Sequence, residues 1–481
     1  MKLGAVSEQN ELKTSLRMQN YDFVVVGGSL PGMVSALLIK KAHPTASVVI
    51  IESAEQLGGN LIGHKAFGEH FDAGTHILQE IGDTEIDGLI EQSVHHQDLV
   101  KLESSIGDYA ATISEKRVWA HTAYPDVLQR SPFIANKIMG EIIEVRKRSN
   151  ELDLVSGSRD FSSRRLSAKD ASMIRFGATA TNEIIMPILN GVFGSNHELS
   201  GFAIEFCNLM RLCLVGKDEW ERKVLSEGLN DRVAFPDQQN LPFRQKHHRK
   251  SLYSRKNGAS DFTRGLSVQC SRAGIHALNS TKVKRIDPRS KSLTFAGEPN
   301  YSVMNYGQLV SCVGVGLTQM FITGDSVSPR KMLTYRILHF ILTEPTNSRI
   351  CYYYSQQIGS VIFRVTNYSA FSGRESDFRL TVETIGNEHL SDEELLVAVE
   401  KELIEINIID SGMIQNSICM SGKNVFPQPS PETFEQFLVS ENFVKDFEGD
   451  GLITSGLGAA NGIFFQNEVL RHVVSRLRVI L

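Results

Sequence analysis

The stretch Asp22–Asn60 constrains the fold more than any other part of this chain. Phe23–Val26 is a short apolar run ending in three valines, the composition of a buried parallel strand. Gly27, Gly28 and Gly32 follow at once. Met33–Lys41 then reads as a helix and Ala46–Ile51 as a second strand, which ends in Glu52, 20 residues after Gly32. Strand, glycine turn, helix, strand and acid is the order of a crossover unit that holds a dinucleotide. Gly27 would let the chain turn tightly, and Gly32 would let the helix pack close to the sheet. The helix N-terminus offers free N–H groups and the positive end of its dipole to a pyrophosphate. Glu52 can accept hydrogen bonds from both hydroxyls of an adenosine ribose. It would repel a 2′-phosphate, so NADP is not expected. The middle glycine of G-x-G-x-x-G is Ser29 here, and Pro31 precedes the last glycine. Serine is small, so the backbone stays approachable. The competing reading is a βαβ unit with a glycine turn and no ligand.

Two further phrases follow: Leu57-Gly-Gly-Asn60, then Phe71-Asp-Ala-Gly-Thr-His76. With these the chain resembles the flavoproteins that include amine oxidases, protoporphyrinogen oxidases and UDP-galactopyranose mutases. The resemblance implies FAD as cofactor. It also implies an α/β fold: a Rossmann-like FAD-binding domain of the glutathione-reductase type with a second, mixed α+β substrate domain. The double glycine would lie beside the pyrophosphate and ribityl chain. It carries cofactor contacts onto Gly27, Gly28, Ser29, Pro31 and Gly32, onto Glu52 and Ser53, and onto Gly58, Gly59 and Asn60.

The bulk numbers set the frame. A chain of 481 residues holds two to four domain-sized units. Hydrophobic content of 41% with 22% charged residues is that of a globular protein outside a membrane. A net charge of −5 gives no reason to expect nucleic acid as a partner. Met1–Asn20 is polar and mixed in charge, a loose tail or a short surface helix rather than a signal peptide. No apolar run reaches spanning length, so no transmembrane segment is expected. The six cysteines are scattered, at 207, 213, 270, 312, 351 and 419, without metal-ligand spacing. They read as reduced core residues of a cytoplasmic protein, and no metal is expected.

Along the chain, Glu85–Gln97 reads as a helix, with the adjacent His95 and His96 pointing different ways. Val118–His121 and Tyr124–Val127 read as short strands and turns. Arg165–Ser200 reads as two helices, the second bent or restarted by Pro187, and it resembles a substrate-domain segment of the protoporphyrinogen oxidases. Phe243–Lys256 carries six Lys or Arg. It is either a solvated loop or a patch for phosphates or anionic lipid headgroups. Asp261–Ala273 reads as a helix, and Gly274–Asn279 and Thr281–Ile286 as strands. In the resembled proteins the position of Val283 touches the adenine through its backbone. Tyr306–Val313 reads as another sheet strand. It is followed by Gly314-Val-Gly316, which lacks a third glycine and a downstream acid and so is not a second dinucleotide site.

Met332–Glu383 is strand-rich and alternating. Its tyrosines Tyr353 and Tyr354, with Arg364, resemble the mutase segment whose arginine grips a substrate diphosphate. The alternative for Arg364 is a sheet-rim arginine paired with a carboxylate. Ser391–Ile406 reads as an amphipathic helix, with Ser391 as N-cap and Glu394 completing a capping box. Gly451–Val474 reads as strand, glycine turn and helix. The resemblance places it under the flavin, the helix N-terminus facing the pyrimidine edge or ribityl chain, with Gly456, Asn461 and Gly462 in the turn. The mutases carry an arginine where this chain has Leu457, and a tyrosine-rich stretch where it has Ile463–Glu468.

The domain division that follows is a tail at 1–20, an FAD-binding domain at 21–110, 255–325 and 430–481, and a substrate domain at 111–254 and 326–429. Three functions stay open. One is an FAD-dependent oxidoreductase that passes a hydride from a small molecule to flavin N5. Another is a mutase-like enzyme acting on a nucleotide sugar. The third is a non-catalytic flavin-fold partner protein. His76 matches a histidine near the flavin in the mutase subgroup and is the one candidate catalytic side chain; the alternative is a core histidine capping a turn. A small-molecule substrate is the expected partner, and a homodimer is compatible with the sequence.

Overall fold

The computed structural model describes residues 20–102, 110–151, 161–195, 198–241, 251–297, 303–325 and 332–481, without the side chains of 148–151, 161, 162, 239, 421–425 and 461. The tail expected at 1–20 and the basic run at 243–250 therefore lie outside the described residues, apart from Asn20. The end of that basic stretch is not a loop. Ser251–Ser254 is a buried strand, paired with Leu99–Leu102 and Leu78–Gln79.

Two seven-stranded sheets organise the chain. In the first, five parallel strands run in the order His276–Leu278, Val48–Ile51, Tyr21–Val26, Val303–Ser311, Leu452–Thr454. The hairpin Val283–Asp287 and Ser292–Phe295 extends the start of Val303–Ser311 antiparallel. The strands are apolar on both faces, as a sheet covered on both sides must be. Val25, Ile50, Val310 and Ile453 pack under Leu30–Ala42, Ser260–Arg272 and Gln466–Ile480. Val24, Val26, Val49, Ile51 and Leu309 face the other way, into the core shared with the second half of the molecule.

The second sheet runs in the order Ile414–Pro427, Met332–Leu342, Arg379–Ile385, Arg364–Asn367, Tyr352–Ser355, Ala110–Ser114, Arg117–Trp119. Every pairing is antiparallel except Tyr352–Ser355 on Ala110–Ser114. Its two faces differ. Leu338, Phe340, Val365, Leu380 and Val382 pack on Leu395, Val399 and Leu403 of the helix Asp392–Glu405. That helix begins with the expected capping box: Glu394 N–H donates to Ser391 Oγ at 3.2 Å, and Ser391 N–H to Glu394 Oε2 at 2.8 Å. The opposite face carries His339, Arg364, Thr366, Thr381 and Glu383, because side chains alternate along a strand.

Several elements differ from the sequence reading. Pro132–Glu151 forms a helix that the reading passed over. Val127–Arg130 is a short helix capped by Asp126, not a strand. Pro187 does restart a helix, Met186–Phe193, after a π-turn at Thr181–Ile185. In the last segment only the single turn Ala459–Gly462 follows the strand, and the long helix begins later, at Gln466.

Candidate functional site

The glycine turn, the acid and the double glycine come together at the carboxyl ends of the parallel strands. That is where open α/β sheets bind their ligands, because the helix N-termini gather there. A Cβ on Gly32 would sit 1.9 Å from the Gly27 carbonyl oxygen, so the helix Leu30–Ala42 approaches the turn as only glycine permits. Pro31 lies in the first helical turn, where its missing N–H costs nothing. Ser29 is the N-cap residue, yet its side chain caps nothing and no acid lies in the first turn. The positive end of this helix is therefore left uncompensated by its own side chains.

Glu52 closes the turn. Its Oε2 accepts the Gly28 N–H at 2.8 Å, and its Oε1 accepts the Ala54 N–H at 2.8 Å and the Ser53 hydroxyl at 3.2 Å. The Gly58 N–H donates to the Gly28 carbonyl at 2.8 Å, and a Cβ on Gly59 would lie 3.1 Å from Ser29 Cβ. Asn60 follows on the exposed surface. Val283 opens its strand two residues after Thr281, whose N–H donates to the Glu52 carbonyl at 2.8 Å. These residues fit a dinucleotide: a close-packed turn, a helix start uncapped by its own side chains and a half-exposed carboxylate.

The C-terminal glycines are closely packed by the protein itself. A Cβ on Gly456 would come 2.6 Å from the Gly314 nitrogen, and one on Gly462 would come 2.8 Å from Phe434. Packing against the neighbouring turn and ring accounts for both. The expected dipole needs correction. The Glu468 carboxylate accepts the Phe464 and Phe465 N–H groups at 3.1 and 3.2 Å, and Arg164 pairs with the same carboxylate at 3.0 Å. The start of the long helix is thus already capped by an anion of its own. The Asn461 side chain lies outside the described residues.

The second half of the site is the polar face of the second sheet. Arg364 is paired with Glu383, which is fully buried. Arg364 Nε donates to Glu383 Oε2 at 3.1 Å, and its Nη2 and the Tyr335 hydroxyl donate to the same oxygen. The Thr75 N–H and hydroxyl donate to Oε1 at 2.7 and 3.0 Å. Burial pushes the Glu383 carboxyl up to about 7, against the pull of these Thr75 hydrogen bonds. Gly74 has φ +94, and a Cβ there would meet Glu383 at 2.9 Å. The D-A-G-T-H phrase therefore staples the first half of the molecule to the second. Asp72 accepts the Tyr253 hydroxyl at 2.7 Å and the Ala259 N–H at 2.9 Å, Gly74 makes room for Glu383, and Thr75 bonds it.

His76 follows on this loop, half-buried, its ring bonded to the Ala73 backbone. Burial, and then the Arg364 charge, pull it down to about 4. Tyr354 stays on the polar face, with the Arg364 guanidinium 5.8 Å from its ring centre. Tyr353 is a correction: one residue along the strand it turns to the other face, where it is fully buried among Leu338, Val365 and Leu395. It is a core residue and not a substrate contact. The sequence reading missed Glu383, Thr75, Tyr335 and His339. A signal existed in Arg379-Leu-Thr-Val-Glu383, where every second residue is polar inside a buried strand.

Elsewhere, the His95 and His96 rings lie 4.5 Å apart and tilted by 38°, and among the described residues no three His, Cys, Asp or Glu side chains converge as metal ligands. All six cysteines are free, five of them buried. No helix among the described residues is long and apolar enough to cross a membrane.

Residues 25–92 match the NAD(P)-binding Rossmann-like domain family. No curated protein matches the chain by sequence. Among solved structures, a reduced UDP-galactopyranose mutase matches with TM-score 0.69 at 13% identity, over 96% of this chain and 94% of that one. A protein described as a protoporphyrinogen oxidase, from an Exiguobacterium species, matches with TM-score 0.61 at 14% identity, over 96% and 99%. A putrescine oxidase variant matches with TM-score 0.58 at 10% identity, over 96% and 99%. The chain has the two-part α/β fold of these solved structures, with a Rossmann-like dinucleotide-binding domain at residues 25–92.

Proposed function

We propose that this chain is an FAD-dependent oxidoreductase acting on a small molecule held between the two sheets. The observation that carries this reading is the cradle of Gly27–Gly32 with Glu52: an uncapped helix start, and a carboxylate placed on the Gly28 N–H at 2.8 Å. The cofactor domain would comprise 21–110, 255–325 and 430–481, and the substrate domain 111–254 and 326–429. Residues Gly27, Gly28, Ser29 and Gly32, with the Gly58–Gly59 pair, would hold the diphosphate, and Glu52 the ribose. Bound FAD supplies a ring that accepts a hydride.

The chain's own residues supply orientation and a dry wall. Tyr354 and Phe363 pack about Arg364, and Phe206 stacks on Phe363 at 5.2 Å. Such a wall excludes water from a reacting C–H bond. His76, kept neutral at pH 7, can orient a substrate by hydrogen bonding without adding charge. The second reading, a mutase-like enzyme on a nucleotide sugar, is supported by Tyr354 beside Arg364 on adjacent strands. It is weakened because the Arg364 guanidinium already serves a buried carboxylate and Leu457 replaces an arginine. A non-catalytic partner protein is the third reading, supported by Ser29 and Leu457.

The visible spectrum of the purified protein, with added FAD, separates them. Flavin bands that bleach on adding an amine or another reduced small molecule without dithionite support the oxidoreductase. Turnover of a UDP-sugar only after dithionite supports the mutase. A protein that takes up no FAD leaves the third. Glu52→Ala should weaken FAD retention about tenfold or more, as expected for a lost charge-assisted pair of hydrogen bonds. Unchanged occupancy in that variant would overturn the ribose assignment.

A further inference from the structure

We propose that His64 is a cofactor contact: a neutral imidazole that offers its Nε2–H as a fixed donor to an acceptor oxygen of bound FAD, with His339, Thr381 and Tyr368 as the positioning residues that set its tautomer. The inference rests on the FAD reading above for its ligand, but not for its tautomer.

A buried chain of four side chains ends at His64. The Tyr368 oxygen accepts the Asp72 N–H at 2.9 Å and lies 3.0 Å from Thr381 Oγ1. Thr381 Oγ1 lies 2.9 Å from His339 Nδ1, and His339 Nε2 lies 3.0 Å from His64 Nδ1. Tyr368, Thr381 and His339 are at most 1% exposed, so water cannot supply a missing partner. Each contact holds a single hydrogen, and the chain could run in either direction. Only one direction satisfies every group. Tyr368 already accepts a peptide N–H, and Thr381 is its acceptor among the described residues, so its O–H must point there. Thr381 then donates to His339 Nδ1, and His339 donates from Nε2 to His64 Nδ1. The remaining proton of His64 is on Nε2. The reverse direction would strand a buried phenol hydrogen.

Burial holds the charged forms down in both rings, His339 most strongly, with His64 and His70 adding to the effect there. The pair therefore stays neutral at pH 7, and its tautomer does not switch by protonation.

The open end of the chain lies where a cofactor contact would be expected. His64 leaves the Gly58–Gly59 pair through the single turn Gly59–Ile62, and Gly59 lies against Ser29 of the phosphate turn. The His64 ring is half-buried, with Nδ1 taken by His339; among the described residues Nε2 has no protein partner and is not enclosed. It is also near enough to His76 to depress that ring, and His76 is in turn depressed by Arg364. An uncharged donor fixed in direction suits a carbonyl or phosphate oxygen better than a cation.

The test has two arms on the full chain. With ¹⁵N-histidine labelling and no ligand, long-range ¹H–¹⁵N spectra at pH 7 should show His64 protonated at Nε2 with Nδ1 as acceptor. Thr381→Val removes the middle of the relay at near-constant volume and should give mixed tautomers at His64. Finding wild-type His64 protonated at Nδ1, or mixed, overturns the relay whatever the cofactor is. The second arm is FAD titration followed by flavin fluorescence. His64→Leu should weaken FAD binding about tenfold, His64→Gln, which keeps a donor, about threefold or less, and Thr381→Val about threefold. If His64→Leu binds as wild type while Glu52→Ala does not, the contact falls and the nucleotide reading stands. If wild type takes up no FAD, both fall, and the spectra still decide the tautomer.

Discussion

The two sheets place their polar groups in opposite ways. In the parallel sheet the strand interiors are apolar on both faces, and the groups that could bind a ligand lie beyond the strand ends, at Gly27–Ser29, Glu52 and Gly58–Gly59. In the second sheet the polar groups stand within the strands themselves: His339, Arg364, Thr366, Thr381 and Glu383 share one face. A turn at a strand end can bind with backbone N–H groups that are free in any case. A mid-strand charge must be desolvated, so it persists only with a partner in place. The first arrangement predicts that ligand groups are nearly independent of stability. The second predicts that the same side chains hold the fold together.

The Arg364–Glu383 pair is the strongest way to break that contrast. In urea denaturation above about pH 8, where the Glu383 carboxyl is ionised, Arg364→Met leaves it buried with one guanidinium fewer, and the expected loss is about 3–5 kcal/mol. Replacing both residues with Met and Leu should recover most of it, since a well-packed apolar pair is close to neutral. If Arg364→Met unfolds at the wild-type midpoint, the arginine is free for a ligand, and the diphosphate grip of the mutase reading returns.

The next effect is in pH. His70, His76 and His339 are depressed to about 4, 4 and 3, each chiefly by burial. A base depressed on folding binds fewer protons in the folded state than in the unfolded one. Its contribution is intact above the unfolded value near 6.5 and is lost as pH falls from there toward 4. For the fully buried His339 the slope is about 1.4 kcal/mol per pH unit. Asp72 and Glu383 oppose this, because burial raises both to about 7. Their contribution is present at acid pH and is lost as pH rises from near 4 through 7. The wild-type curve between pH 4 and 6.5 should therefore be shallow. Glu383→Gln removes one opposing carboxyl and should steepen the acid loss, measured as melting temperature against pH. An unchanged slope would mean that Glu383 is ionised throughout.

On the other side of the contrast, Gly32→Ala tests the turn. The new methyl would fall 1.9 Å from the Gly27 carbonyl, so the helix must move away from the sheet at a cost of about 1–3 kcal/mol. FAD uptake should fall further than stability does, because the displaced helix start is the proposed phosphate site. Equal effects on both would show that the turn is scaffold.

The same contrast explains what could be read from sequence. The proposed phosphate turn is local: Gly27, Gly32 and Glu52 sit within one crossover, and their spacing survives in the string. The Ser391–Glu394 box is local too. Arg364, Glu383 and Thr75 are brought together by pairing across strands, and Thr75 lies 308 residues from Glu383. No short-range pattern encodes that meeting. Tyr353 was misplaced for a related reason. A run of three tyrosines does not say which of them face the site, and only the register with Arg364–Asn367 separates Tyr354 from Tyr353. The C-terminal glycines carry a second constraint that the string does not show. Glycine marks close approach, and here Gly314 approaches Gly456 and Phe434 approaches Gly462.

The smallest effect lies on the aliphatic face, where neither sheet's chemistry is involved. Ser391→Ala removes one half of the capping box on the helix that covers Leu338, Val365 and Leu380. The Glu394 N–H loses its acceptor, and the reciprocal bond from Ser391 N–H to Glu394 loses its geometry. The expected cost is about 1 kcal/mol, without change in FAD uptake. The cap lies on the face of the second sheet turned away from Arg364 and Glu383, so the cost should add to that of Arg364→Met within about 0.5 kcal/mol. A larger interaction energy would show that strain crosses the sheet from its aliphatic face to its polar one, and the two faces would then have to be treated as a single unit.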